Sequence, residues 1–181
     1  PDDLLCDNVA IFITRKDLVR FLTCNRRHRK DYIPLLVPQF YWNWMHVRKS
    51  PELLKHVQKL VDFDFQVGNL NYEIPKQVTD LRFRDWFNDK LRKASLHDGL
   101  EKLHLGLKFR KTIKCNVLPA SLKILHLSLW YDKPIGPQVL PAGLECLYLG
   151  HHYDQQFEEG AMPTGLKWLS LGAKYNHVLT Q

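Results

Sequence analysis

From Ile74 onward the chain repeats itself every 22 residues without an insertion. In register, the segments begin at Ile74, Leu96, Leu118, Leu140 and Met162, and the last stops partway at Gln181. This period excludes most folds, because a unit of 22 residues cannot bury its own apolar face and has to stack on its neighbours. The stacked product is a solenoid with one continuous interior. Independent amphipathic strands of an antiparallel fold would instead show alternation and hairpin turns without a strict period.

Each column of the repeat has a physical meaning. The first position is apolar (Ile74, Leu96, Leu118, Leu140, Met162), and the second is proline in four of the five repeats, Pro75, Pro119, Pro141 and Pro163. Proline fixes φ and removes an N–H, so each coil enters its strand from a turn. An LxxLxL pattern follows, as in Leu122, Leu125 and Leu127, and reads as a short strand with one buried face. Four residues past the strand an aromatic returns each time (Phe87, Phe109, Tyr131, Tyr153, Tyr175). Four further on comes an apolar residue (Leu91, Ile113, Ile135, Phe157, Leu179). These fill the interior behind a parallel sheet.

Composition agrees with a folded chain. Of 181 residues, 45% are hydrophobic and 12% aromatic, enough apolar surface to offset chain entropy. No apolar run reaches the roughly 18 residues needed to span a bilayer, and no basic-then-apolar leader opens the chain, so no membrane is expected. Pro1 at the start and the interrupted last repeat point to a fragment. Cys6, Cys24, Cys115 and Cys146 form no CxxC pair, which suits free thiols in a reducing compartment; the expected location is the cytoplasm, with the nucleus or a host cytoplasm as alternatives. The net charge of +7 is spread over both halves, and most such charge is solvated surface, so no nucleic acid is expected as a partner.

The array resembles the FNIP repeats, whose units read as a Pro-initiated SLxxLxFG followed by a FNxPI-like stretch. The matching residues are LPASLKILHLSLWYDKPI from Leu118 to Ile135, and VTDLRFRDWFNDKL from Val78 to Leu91 with its Phe87-Asn88 pair. The motif's Asn is present at Asn88 and Asn176, while Arg110, Asp132 and Asp154 occupy the same column elsewhere. An earlier VQKLVDFDF from Val57 looks like a degenerate first coil that caps the array.

Before the array, Leu18, Phe21 and Leu22 recur at helical spacing after Asp17, and Pro34 and Pro38 end the pattern. The aromatic cluster Phe40, Tyr41, Trp42 and Trp44 is expected to join this helical part to the first coil. Residues 1 to about 30 resemble an F-box, with Leu5, Ile11, Lys16, Asp17, Leu18, Arg20, Leu22, Cys24 and Arg27 at fitting places. That resemblance implies docking onto the Skp-type adaptor of a cullin ubiquitin ligase, through Pro1, Leu5, Ile11, Leu18 and Leu22. The pairing of F-box and FNIP repeats is associated with amoebae and the large DNA viruses that infect them.

The expected architecture is an α/β repeat protein. A helical F-box-like module spans 1–45, a connecting or capping segment spans 46–73, and a leucine-rich-repeat-like parallel β solenoid spans 74–181. If Leu81 and Phe83 point inward, residues 80, 82 and 84 and their counterparts point outward. The first such column is Asp80, Lys102, Ile124, Cys146 and Trp168; the second Arg82, His104, His126, Tyr148 and Ser170; the third Arg84, Gly106, Ser128, Gly150 and Gly172. Their variety suits recognition, and Arg82, Lys102, His104, His126, Tyr148 and Trp168 are the candidate target-binding residues, with Trp168 beside Tyr148 as the anchor.

Catalysis finds no support in the motifs. His104, His126 and Cys146 lack a fourth ligand for zinc, and His151, His152 and Asp154 fall in a turn. No GxSxG and no phosphate-cradling glycine loop is present, so neither an enzyme nor a cofactor is expected. The expected function is a monomeric substrate-recognition subunit bridging a target protein to the Skp-type adaptor. The alternative is a non-catalytic scaffold or host-interaction solenoid without a ligase role.

Overall fold

The computed structural model describes residues 41–43, 48–49, 54–63, 66–67, 70–71 and 73–179. Of the helical F-box-like module expected over 1–45, residues 1–40, 44 and 45 lie outside the described residues, and Tyr41–Asn43 within it is a strand and not a helix. Nine strands are described: β1 (Tyr41–Asn43), β2 (Lys59–Phe63), β3 (Gln66–Val67), β4 (Leu70–Asn71), β5 (Asp80–Phe83), β6 (Lys102–His104), β7 (Ile124–His126), β8 (Cys146–Tyr148) and β9 (Trp168–Ser170). Seven of them form one sheet in the order β1-β2-β5-β6-β7-β8-β9, and β3 pairs with β4 in a small antiparallel ribbon. All six pairings in the large sheet are parallel.

From β5 onward the register equals the sequence period: Leu81 faces Leu103, then Leu125, Leu147 and Leu169. The sheet starts earlier than the period alone places it, since Tyr41–Asn43 is a strand beside β2. Between β2 and β5 the register shifts, with Leu60 opposite Leu81 but Phe63 opposite Phe83. The shorter spacing of the degenerate first coil is absorbed by that irregularity.

Each turn is built by the residues its column supplies. The carbonyls of Pro75, Pro119, Pro141 and Pro163 accept from the amides of Val78, Leu122, Leu144 and Leu166, closing the turn that launches the strand. In the second repeat His97 stands in the proline column and its carbonyl accepts from Leu100. Its ring nitrogen Nδ1 also accepts from the Gly99 amide at 3.1 Å, a local substitute for proline's rigidity.

Behind the sheet the aromatic column stacks one ring per coil. Phe87, Phe109, Tyr131, Tyr153 and Tyr175 follow one another at centroid spacings of 5.9, 6.1, 6.2 and 6.2 Å, with planes within 8° of parallel. Val78, Leu81, Leu100, Leu103, Leu122, Leu125, Leu144 and Leu147 are fully buried beside them. The interior is therefore continuous from coil to coil, as stacking requires. The phenolic oxygens of Tyr131, Tyr153 and Tyr175 are buried without a hydrogen-bond partner among the described residues. Burial pushes the Tyr131 hydroxyl up to about 12, against a weaker opposing influence of the Ile113 backbone that falls short of a hydrogen bond.

Candidate protein-interaction surface

Strand alternation sends Leu103, Leu125 and Leu147 inward and leaves the flanking residues of β6, β7 and β8 half-buried or exposed on the other side. In the middle outward column Arg82 is exposed, and His104, His126, Tyr148 and Ser170 are half-buried. Three of these side chains form a stack. The rings of His104 and His126 lie 3.9 Å apart with planes 14° off parallel, and those of His126 and Tyr148 lie 4.0 Å apart at 2°. Adjacent strands are about 4.8 Å apart, so the rings lean together to reach contact.

The stack holds its imidazoles neutral. Burial is the main cause that lowers His126 to about 4, and the neighbouring His104 and Arg82 charges push in the same direction. His104 is lowered first by burial and then by Arg82 and Lys102, with the Asp80 carboxylate opposing. Two stacked rings at this spacing cannot both carry a proton without strong repulsion.

The remaining residues of that face are unequal. Lys102 is exposed, Ile124 and Cys146 are half-buried, and Trp168 is 58% exposed at the last strand. Asp80, expected to point outward with them, is instead 3% exposed. Its strand lies between β2 and β6, with Asp80 in register with Lys59 and Lys102.

The third outward column is corrected more broadly. Gly106, Ser128 and Gly150 are buried and Gly172 is half-buried, because β6 to β9 have already ended and the chain is turning away. A Cβ on Gly106 would sit 2.0 Å from the Arg84 carbonyl oxygen, and one on Gly150 would sit 1.8 Å from that of Ser128. Glycine in this column lets one coil settle on the next. At Ser128 the hydroxyl donates to the buried Phe109 carbonyl.

Two ladders escape the alternation argument. On the turn after each strand lies the column Trp86, Lys108, Trp130, His152 and Lys174, in which Trp130 and His152 stack at 3.8 Å and 12°. Arg84 lies over Trp86 at 5.3 Å and Arg110 over Trp130 at 4.9 Å. Two residues later the side chain of one coil caps a backbone N–H of the next. Asn88 Oδ1 accepts from the Arg110 amide, Asp132 Oδ1 from Asp154, and Asp154 Oδ1 from Asn176. The period marks both columns in the sequence, but alternation says nothing about turns.

Among the described residues no group of three or more His, Cys, Asp or Glu could hold a metal ion. No helix among them is long and apolar enough to cross a membrane.

A coil of one short strand and its connecting turns, repeated in parallel with leucines at fixed places, defines a leucine-rich-repeat-like β solenoid. Residues 87–129 and 131–174 match the FNIP Repeat family model, so over this span the solenoid is similar to FNIP repeats. No curated protein matches the chain. Among solved structures it is similar to one described as CroV588, a novel circular LRR protein, with a TM-score of 0.61 and 27% sequence identity. The likeness covers 72% of this chain and 23% of that one, so this chain spans less than a quarter of the other's length.

Proposed function

We propose that this chain is a non-catalytic protein-interaction solenoid that holds a target protein against the outer face of its sheet. The observation carrying this reading is the contrast between columns one residue apart. The inward column is Leu81, Leu103, Leu125, Leu147 and Leu169, while the outward column is Arg82, His104, His126, Tyr148 and Ser170. Packing demands the first; the second has no such uniformity and offers one cation, flat rings and hydroxyls. Lys102 at one end and Trp168 at the other extend the surface, and large aromatics dominate interface energetics.

In the fuller form of the proposal the target face belongs to a substrate-recognition subunit of a Skp/cullin/F-box-type ubiquitin ligase, acting as a cytoplasmic monomer. Pro1, Leu5, Ile11, Leu18 and Leu22 would then grip the adaptor. That part rests on the F-box resemblance of the N-terminal segment alone. A pull-down with purified Skp adaptor tests it, using this chain and a Leu18→Asp/Leu22→Asp variant. Binding by the former and not the latter supports the ligase role. Failure of a longer chain that includes residues preceding Pro1 leaves a solenoid scaffold with the same target face.

A further inference from the structure

Beyond the sheet face, we infer that the turn ridge around Trp130 is a second docking surface, which takes an acidic peptide segment carrying apolar residues. Trp130 lies between coils that present Arg110 on one side, 4.9 Å from the ring centroid, and His152 on the other at 3.8 Å. Cation and imidazole thus clamp the indole, a large side chain that is 39% exposed yet held in one orientation. Leu107 and Leu129, in adjacent positions of the neighbouring column, are 46% and 39% exposed and continue an apolar strip beside it. Nothing in the coil's own packing requires large apolar residues here, since the same columns hold Asp85 and Lys108 in other repeats.

The charge around the strip is one-sided in its availability. Arg110, Lys133 and Lys174 line one groove with Trp130, His152, Asp132 and Asp154. All three cations are exposed and make no ion pair with a described residue. The two carboxylates are already engaged. Asp132 accepts from the Asp154 amide and from Gln155 Nε2, and Asp154 accepts from the Asn176 amide and faces His177 at 3.2 Å. In each it is Oδ1 that is turned to the ladder between coils, whereas Lys133 and Lys174 have no ion-pair partner among the described residues and Arg110 lies over the indole with its charge unpaired. Lys174 and Arg110 also help hold His152 below its ordinary pKa, after the larger effect of its partial burial, which keeps the platform uncharged beside them.

An acidic segment would place carboxylates on Arg110, Lys133 and Lys174 and an apolar side chain on Leu107 and Leu129. Arginine offers a planar fork suited to a carboxylate, and charge complementarity of this kind speeds and orients docking. The probes are a synthetic peptide of alternating Glu and Leu, its Gln–Leu counterpart, and an oligothymidylate of matched charge, each titrated calorimetrically into the full chain. The Glu–Leu peptide is expected to bind, the Gln–Leu peptide to bind at least tenfold more weakly, and binding to fall at least tenfold in R110E/K133E/K174E. A matched reversal elsewhere, K76E/K93E/K114E, keeps affinity within about threefold, as screening limits long-range effects. Because reversal at three places could unsettle the coils, R110Q/K133Q/K174Q is run beside it, with thermal melting to show that both are folded. Equal losses in the two triple reversals, or no binding of the Glu–Leu peptide to the unaltered chain, would overturn the proposal. Tighter binding of oligothymidylate than of the peptide would overturn it in favour of a nucleic-acid surface. None of these results depends on the sheet face or the adaptor, so the ridge can fail while the function above stands.

Discussion

Two ladders of rings run along this molecule on opposite sides of the same sheet, and they obey different rules. The inner one is aromatic in every repeat from Phe87 to Tyr175, with centroids about 6 Å apart and planes nearly parallel. The outer one passes through Arg82, His104, His126, Tyr148 and Ser170, and its rings touch at about 4 Å. Inside, Phe109, Tyr131 and Tyr153 each lie between the rings of both neighbouring coils, so a smaller residue there would leave a void shared by two interfaces. Outside, the faces are partly wetted and a change is felt mainly by the pair that touches. Uniformity is thus a signature of packing, and variety marks the positions where packing makes no demand.

Emptying the inner ladder has the largest expected effect. Tyr153→Ala removes a fully buried ring between Tyr131 and Tyr175 and is expected to cost about 3–5 kcal/mol; Leu125→Ala is expected to cost about 2–5 kcal/mol. Denaturant midpoints measure both. Tyr153→Phe separates ring from hydroxyl: it deletes an oxygen that has no partner among the described residues, so stability should hold or rise. A loss of several kcal/mol in the Phe variant would mean that the phenol, and not the ring, is what the column selects.

Acid tests the outer ladder. The folded chain holds His126 near 4, below its ordinary value of 6.5, so protons bind the unfolded chain first. The stability that depends on neutral His126 is complete above about pH 6.5 and is lost as pH falls from there to about 4. His104 is lowered in the same sense, chiefly by burial, with Asp80 opposing and Arg82 and Lys102 reinforcing. Melting temperature should therefore decline across that window. His126→Phe keeps a flat ring against His104 and Tyr148 and should flatten the decline. A slope unchanged in the variant would place the acid sensitivity elsewhere.

The period made the solenoid, the register of β5 to β9 and the inner ladder legible, because burial forces one residue type into one phase. What it hid has physical reasons. Asp80 sits at an outward phase, but its strand runs between β6 and β2, and β2 belongs to the degenerate first coil that the 22-residue period does not reach. Gly106 and Gly150 also have an outward phase, yet the strand ends before them and the next constraint is a carbonyl of the preceding coil. The Asn column looked broken in the sequence, but a carboxylate oxygen accepts an amide as an amide oxygen does, so Asp132 and Asp154 continue the ladder; only Arg110 lacks an acceptor. Asp154→Asn should accordingly be almost neutral, whereas Asp154→Ala leaves the Asn176 amide uncapped and should cost about 1 kcal/mol. Equal losses from both would assign the effect to the charge facing His177 rather than to the cap.

The smallest effect on folding is expected at Trp168, and there the contrast between the two sides of the sheet is sharpest. Leu169, its neighbour in β9, points into the interior against Leu147, while the indole is 58% exposed. Trp168→Ala should change stability by no more than about 0.5 kcal/mol, since it opens no cavity and leaves the backbone pairing with Cys146 in place. If the outer face holds a target, the same substitution should weaken that complex by about 2 kcal/mol, or roughly thirtyfold, the loss typical of an aromatic anchor. Melting and target affinity measured on one preparation separate the two. A large drop in melting temperature would show that the indole is part of the packing and would move the anchor toward Tyr148. A variant that melts normally and binds normally would shift the target contacts to the cationic end of the face, at Arg82 and Lys102.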